Sequence, residues 1–162
     1  MTIRIESSDD NVAIRRLHLA SFPGPGEADL VDGLREAGDT ILSLVAIDGG
    51  VLAGHVMFSR MAAPFRALGL GPVAVLRDWR RKGIAARLIE DGIKHAKRDS
   101  WAAIFVLGSP EYYQRFGFSV KEAENFESPY AGPHLMVLSL NGDHLPMRSG
   151  RIDYAPAFSA LG

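Results

Sequence analysis

The sequence predicts an α/β fold in which one mixed sheet carries helices on both faces. Three observations carry that expectation. Strand-like and helix-like segments alternate in the order β-α-α-β-β-β-α-β-α-β, which suits a layered mixed sheet. The segment from Val73 to Val106 reads as strand, helix, strand, so its two strands run parallel across a right-handed crossover. Trp101 to Leu107 is a near-continuous apolar run, as expected of a strand covered on both faces. At 162 residues, 47% of them hydrophobic, the chain can bury a core and is expected to form one domain over 1–162.

Each element has its own signal. Thr2 to Glu6 alternates apolar Ile3 and Ile5 with polar neighbours, a short strand pattern. Ser8 and Asp9 offer N-caps for a helix running to about Ser21, with Val12, Ile14, Leu17 and Leu19 as its apolar positions. Phe22-Pro23-Gly24-Pro25-Gly26 breaks the chain sharply. A second helix carries Ala28, Leu30, Val31 and Leu34 and ends near Gly38. Leu42–Ile47 and Val51–Ser59 are strands joined by Asp48-Gly49-Gly50, a strong hairpin turn. Leu68–Leu76 is a fourth strand, and Ile84–Lys97 a third helix. Gly108-Ser109-Pro110 ends the fifth strand, a short helix covers Glu111–Phe116, and Gly117 stops it. Leu135–Leu140 is the last clear strand. Beyond Asn141 the signals weaken, although Tyr154 and Phe158 suggest a tail that packs.

Composition narrows the function. A formal net charge of −1 argues against a dedicated nucleic-acid binder. The absence of cysteine excludes disulfides, thiolate nucleophiles and Cys-type zinc sites. The five histidines show no metal-ligand spacing, so no metal is expected. The polar, acidic opening from Met1 to Asp10 is not a signal peptide, and no stretch has transmembrane length. A cytoplasmic protein without a membrane partner is the expectation.

The run Arg80-Arg81-Lys82-Gly83-Ile84-Ala85 says most about chemistry. It lies where the fourth strand turns into the third helix. The first N–H groups of a helix have no partner within it, and the helix dipole adds positive charge there. Gly83 has no Cβ and lets backbone approach a ligand. Three cations at a helix start oppose the dipole, which makes little sense for stability alone. A phosphate or pyrophosphate suits such a turn.

With the strand Leu70-Gly71-Pro72-Val73-Ala74-Val75 before it, this run resembles the acetyl-coenzyme A signature of the GNAT superfamily of N-acetyltransferases. The end of the fifth strand, Val106-Leu107-Gly108-Ser109-Pro110, resembles a branch of predicted bacterial members. Tyr112-Tyr113-Gln114-Arg115-Phe116-Gly117-Phe118 is similar to the superfamily's Tyr-x-x-x-Gly-Phe element. The likeness spans roughly Thr2 to Leu140, leaving 141–162 as a C-terminal extension. It implies a sheet splayed between the fourth and fifth strands. It further implies that main-chain groups of Arg81, Lys82, Gly83, Ile84 and Ala85, with Arg80, hold the coenzyme A pyrophosphate. The pantetheine arm would add beside Val73, Ala74 and Val75 like an extra strand, through backbone hydrogen bonds. Two departures stand out. The family's Asn after the fifth strand has no match, and Ser109 takes its place as the candidate contact. Arg66 to Val75 contains no carboxylate where many members carry a general base.

The resemblance makes Tyr113 the candidate general acid. A phenol near pKa ~10 can protonate a departing thiolate in a concerted step. Tyr112 is expected to pack or to touch substrate rather than to catalyse, and Trp79 and Trp101 are expected to pack. The base stays open between Glu27, His55 and a chain of waters. Glu27 also suits the dipole as a plain helix-start carboxylate, and His55 has the right intrinsic pKa. Phe22–Gly26 resembles the loop over the acceptor side. The expected activity is acetyl transfer from acetyl-coenzyme A to a primary amine, of a small molecule or a peptide, by direct attack in a ternary complex. A non-catalytic acyl-coenzyme A sensor of the same fold is the alternative. A nucleic-acid binder using Arg77 to Arg87 would instead show steep salt dependence. Monomer and homodimer both fit the fold.

Overall fold

The computed structural model describes residues 1–142 and 144–161. Asp143 and Gly162, both within the expected C-terminal extension, lie outside the described residues. The elements are β1 (Thr2–Ile5), α1 (Asn11–Ser21), α2 (Gly26–Glu36), β2 (Thr40–Asp48), β3 (Val51–Arg60), β4 (Ala67–Val75), α3 (Ile84–Arg98), β5 (Ala103–Leu107), α4 (Pro110–Tyr113), α5 (Val120–Ala123), β6 (Phe126–Glu127), β7 (Leu135–Ser139) and β8 (Gly150–Arg151). Six strands form a mixed sheet in the order β1-β2-β3-β4-β5-β7. β4 and β5 are parallel, while β1–β2, β2–β3 and β5–β7 are antiparallel. Among the described residues no helix is long and apolar enough to cross a membrane.

The chain falls into two compact units. The first holds Met1–Ser59, Gly71–Gly92 and the tail from Pro156; the second holds Arg60–Leu70 and Ile93–Ala155.

In the first unit the β2–β3 hairpin turns on Gly49 and Gly50, with φ of 56° and 78°. Two positive φ values in a two-residue loop match the right-handed strand twist, and glycine takes them without strain. The register then shifts. Ile47 faces Leu52 but Ala46 faces Gly54, so Ala53 is the extra residue of a bulge. Beyond it, adjacent residues of β3 point to opposite faces. A Cβ on Gly54 would meet Ile84 and Leu88 of α3 at 3.0 Å, whereas His55 meets His18 of α1. Helices therefore cover both faces of this unit, as expected. The tail also packs: Pro156–Leu161 is a 3-10 helix, and a Cβ on Gly33 of α2 would lie 3.4 Å from that of Ala157.

The start of α1 differs from the expected capping. Ser8–Asp10 is a 3-10 turn, so neither Ser8 nor Asp9 is the cap. Asp10 accepts from the Ser7 N–H at 2.7 Å and from two Arg4 nitrogens at 2.7 and 3.0 Å.

In the second unit Ala103 to Val106 are all buried between β4 and β7. Phe105 packs against Phe65 and Phe126. The strand starts at Ala103 rather than Trp101, because the Trp101 ring instead lies under the Arg66 guanidinium, 4.0 Å away. Tyr154 is buried on Gly69, where a Cβ would approach its ring to 2.7 Å. The short elements α5, β6 and β8 carried no clear sequence signal; two to four residues are too few for a period to show.

Candidate active site

β4 pairs with β5 only from Ala67 to Leu70. At Gly71 the backbone takes φ 142°, a value open to glycine, and the pairing stops. This is the split expected between the fourth and fifth strands. Leu76 donates its N–H to Ala53 O of β3 at 2.8 Å. Successive backbone groups alternate in direction along a strand. The N–H groups of Val73 and Val75 therefore point away from β3, to the edge that β5 has left, while Ala74 points toward β3.

The Val75 carbonyl on that open edge accepts from Arg80 Nε at 2.8 Å. Arg80 thereby clamps the end of the strand to the turn that follows. Arg81 and Gly83 both take left-handed backbone, with φ of 64° and 78°. The first bond of α3 runs from Arg87 N–H to Gly83 O at 3.0 Å. Among the described residues, the N–H groups of Arg81, Lys82, Gly83, Ile84 and Ala85 have no main-chain acceptor. Backbone N–H groups gathered by left-handed residues before a helix form an anion cradle. A Cβ on Gly83 would meet nothing within 4 Å, so the space in front of the turn is open. Arg80, Arg81 and Lys82 are exposed and form no ion pair among the described residues. A cradle with uncompensated positive charge fits a diphosphate.

Tyr113 belongs to the second unit. It ends α4 and is buried, edge-on to Tyr112 and Phe118. Its ring lies against Gly108, where a Cβ would come within 2.6 Å of it. Burial, with a smaller push from Tyr112, raises its phenol to about 12, which keeps the proton on it at neutral pH. Tyr112 is half-buried beneath the Arg115 guanidinium at 4.4 Å. Ser109 is exposed at the start of α4, and its hydroxyl does not cap the helix. Trp79 donates its indole N–H to Asp48 at 3.1 Å.

The base candidates part company. Glu27 is half-buried in the first turn of α2, beside the exposed break Pro23-Gly24-Pro25. His55 is fully buried, with both ring nitrogens engaged. Its Nε2 lies 2.7 Å from Ser43 Oγ and its Nδ1 lies 2.8 Å from His18 Nε2. Ser43 Oγ donates in turn to Glu6, and Arg35 grips the Glu6 carboxylate with two nitrogens at 2.9 Å. Burial alone would raise Glu6. Its polar contacts with His55, Arg35 and Ser43 outweigh that and hold it at about 2. Burial pushes His55 below its usual value against the pull of Glu6. Burial, reinforced by His55 and Arg35, takes His18 down to about 3. Sequence reasoning reached only His55 of this group. Glu6, His18, Arg35 and Ser43 come from separate segments, and no spacing ties them together.

Residues 11–118 match the model of the acetyltransferase (GNAT) family. The uncharacterized N-acetyltransferase YhbS of Escherichia coli strain K12 is 33% identical over 98% of this chain and 99% of its own. The crystal structure of Escherichia coli YhbS in complex with CoA superposes with a TM-score of 0.93 at 32% identity, covering 99% of this chain and 93% of that one. A GNAT family acetyltransferase from Brucella melitensis, solved in complex with acetyl-CoA, gives a TM-score of 0.81 at 31% identity over 97% of each chain. This chain belongs to the GNAT family and is by that membership an N-acetyltransferase.

Proposed function

We propose that this protein takes acetyl-CoA at the β4 edge and the Arg80–Ala85 turn and passes its acetyl group to a primary amine by direct attack in a ternary complex. The observation that carries this proposal is the turn: among the described residues, five successive main-chain N–H groups find no main-chain acceptor and three cations form no ion pair, with open space over Gly83. The CoA and acetyl-CoA complexes of the two relatives support it.

The residues divide the work. N–H groups of Arg81 to Ala85 hold the diphosphate. Val73 and Val75 offer N–H groups to the pantetheine arm, as an edge strand offers them to an added strand. An N–H on this edge also polarises the thioester carbonyl. The amine nitrogen forms a bond to the carbonyl carbon, and the carbon–sulfur bond breaks. Tyr113 gives its proton to the departing thiolate, and the proton that the new amide nitrogen releases returns through solvent to the phenolate. The chain has no cysteine, so no acetyl-cysteine relay intervenes. Phe22–Gly26 covers the acceptor side, with Glu27 placed to attract a cationic amine.

Calorimetric titration tests the donor half. Acetyl-CoA should bind far more tightly than adenosine, which lacks the diphosphate. Equal affinity for the two would remove the turn from the account.

A further inference from the structure

The Glu6–Ser43–His55–His18 chain reads in one direction only. Glu6 is held as a carboxylate by Arg35, so it only accepts hydrogen bonds. Ser43 must therefore donate its hydroxyl proton to Glu6 and use its lone pair for His55. That makes His55 Nε2 the protonated nitrogen and Nδ1 the acceptor. His18 must then donate from Nε2 to His55 Nδ1, across 2.8 Å with the rings edge to face. His18 Nδ1 is left as a bare lone pair. It is fully buried and has no hydrogen-bond partner among the described residues.

Buried polar atoms nearly always find partners, and the exceptions call for an explanation. Three residues and an arginine fix one imidazole as an acceptor, and among the described residues it has nothing to accept. The His18 ring lies at the end of α1. Phe22 lies flat against it, centroids 5.9 Å apart and planes 10° from parallel. Phe22 is also the first residue of the break that leads through exposed Pro23, Gly24 and Pro25 to Glu27.

We propose that His18 Nδ1 accepts a hydrogen bond from the N–H of the incoming amine and so orients its lone pair for attack, with Phe22 as the movable cover over the ring. The inference rests on the acetyltransferase proposal above and assigns a positioning residue to its acceptor side. The depressed basicity of His18 serves this role, because an imidazole that stays neutral remains an acceptor at working pH. The charged and titratable groups around it are His55 from β3, Glu6 after β1, and Arg35 with its partner Asp32 from α2. Arg35 and His55 both disfavour an imidazolium at His18. The bound amine is neutral when it donates; its ammonium proton goes to solvent, and a second N–H proton leaves after the C–N bond forms.

Two arms test this on the full-length protein. First, ¹⁵N NMR of histidine-labelled protein reads the tautomers without any turnover. His18 should be neutral, protonated on Nε2 and bare on Nδ1 from about pH 8 to pH 5, and Ser43→Ala should scramble that preference. A Nδ1-protonated His18 would overturn the proposal. Second, acetyl-CoA is supplied with a panel of alkyl mono-, di- and polyamines. His18→Ala should lower kcat/KM for the amine at least tenfold while leaving the KM for acetyl-CoA unchanged. His18→Asn, whose side-chain oxygen stands near the Nδ1 position, should restore part of it, and His18→Gln less. Unchanged amine kinetics in a folded His18→Ala protein would sink the positioning role. Should no amine be turned over by the wild type, the transferase proposal fails, and with it the positioning role, while the tautomer arm still decides the hydrogen-bond chain.

Discussion

Tyr113 and the His18–His55 pair are buried groups with opposite uses of burial. Burial keeps the proton on Tyr113, as its proposed role requires, and keeps protons off the histidines. Tyr113→Phe should leave acetyl-CoA affinity intact and cut turnover by about 10²–10⁴-fold, the usual worth of a general acid. Tyr112→Phe is the control and should be mild, since that ring packs beneath Arg115. A drop smaller than tenfold in folded Tyr113→Phe, read by steady-state thiol release, would return it to packing. The histidines also set an acid limit on stability. His18 has a folded pKa of about 3 against an ordinary 6.5, so below 6.5 the unfolded chain binds the extra proton. Stability is full above about pH 6.5 and falls as pH drops toward 3. Glu6, at about 2 against 4.5, adds a loss of about 3 kcal/mol that begins only below pH 4.5. Urea midpoints should therefore decline already between pH 6.5 and 5, where histidine alone titrates. A midpoint flat over that interval would show that the pair is not held neutral.

Among the elements, α3 matters twice: its start carries the cradle and its middle packs on the sheet. Gly83→Asp adds bulk and negative charge where the proposed diphosphate would sit. It should abolish acetyl-CoA binding and leave the circular dichroism spectrum unchanged. Gly92→Ala acts at the other task. A Cβ there would run into the Phe58 ring, so overpacking should cost about 1–3 kcal/mol in urea unfolding. An unaltered midpoint would mean the ring moves aside freely. This helix and its turn were legible in the sequence because their signals are local: a strand, a basic run, a glycine and an amphipathic stretch in succession. The hydrogen-bond chain was not. A plain two-residue hairpin from Asp48-Gly49-Gly50 would set His55 opposite Leu44 and turn it to the other face from Ser43. The bulge at Ala53 shifts the register by one residue, sets His55 opposite Val45, and brings it to the face that Ser43 shares. Gly54 beside Ala53 fits a bulge and a close helix approach equally, so the sequence alone does not fix the register, and the encounter of Ser43 with His55 exists only once the strands pair.

For the molecule as a whole, the alternation of strands and helices was enough for the fold class, and two short motifs were enough for the family. What one sequence did not carry was every contact made by side chains from distant segments. The tail is an example: Tyr154 was expected to pack, but its seat on Gly69 is set by the sheet. Ligand linkage gives a whole-molecule prediction as well. Acetyl-CoA at about 100 times its Kd should stabilise the protein by about 2.7 kcal/mol, read as a rise in Tm, and adenosine at the same concentration should leave Tm unchanged. The most direct test of the central claim is mass spectrometry of reactions containing the protein, acetyl-CoA and a panel of primary amines, run beside Gly83→Asp. The account predicts an acetylated amine and free CoA in equal amounts with the wild type, and neither with folded Gly83→Asp. Acetyl-CoA bound tightly yet recovered unchanged with every amine, or full turnover by Gly83→Asp, would contradict it.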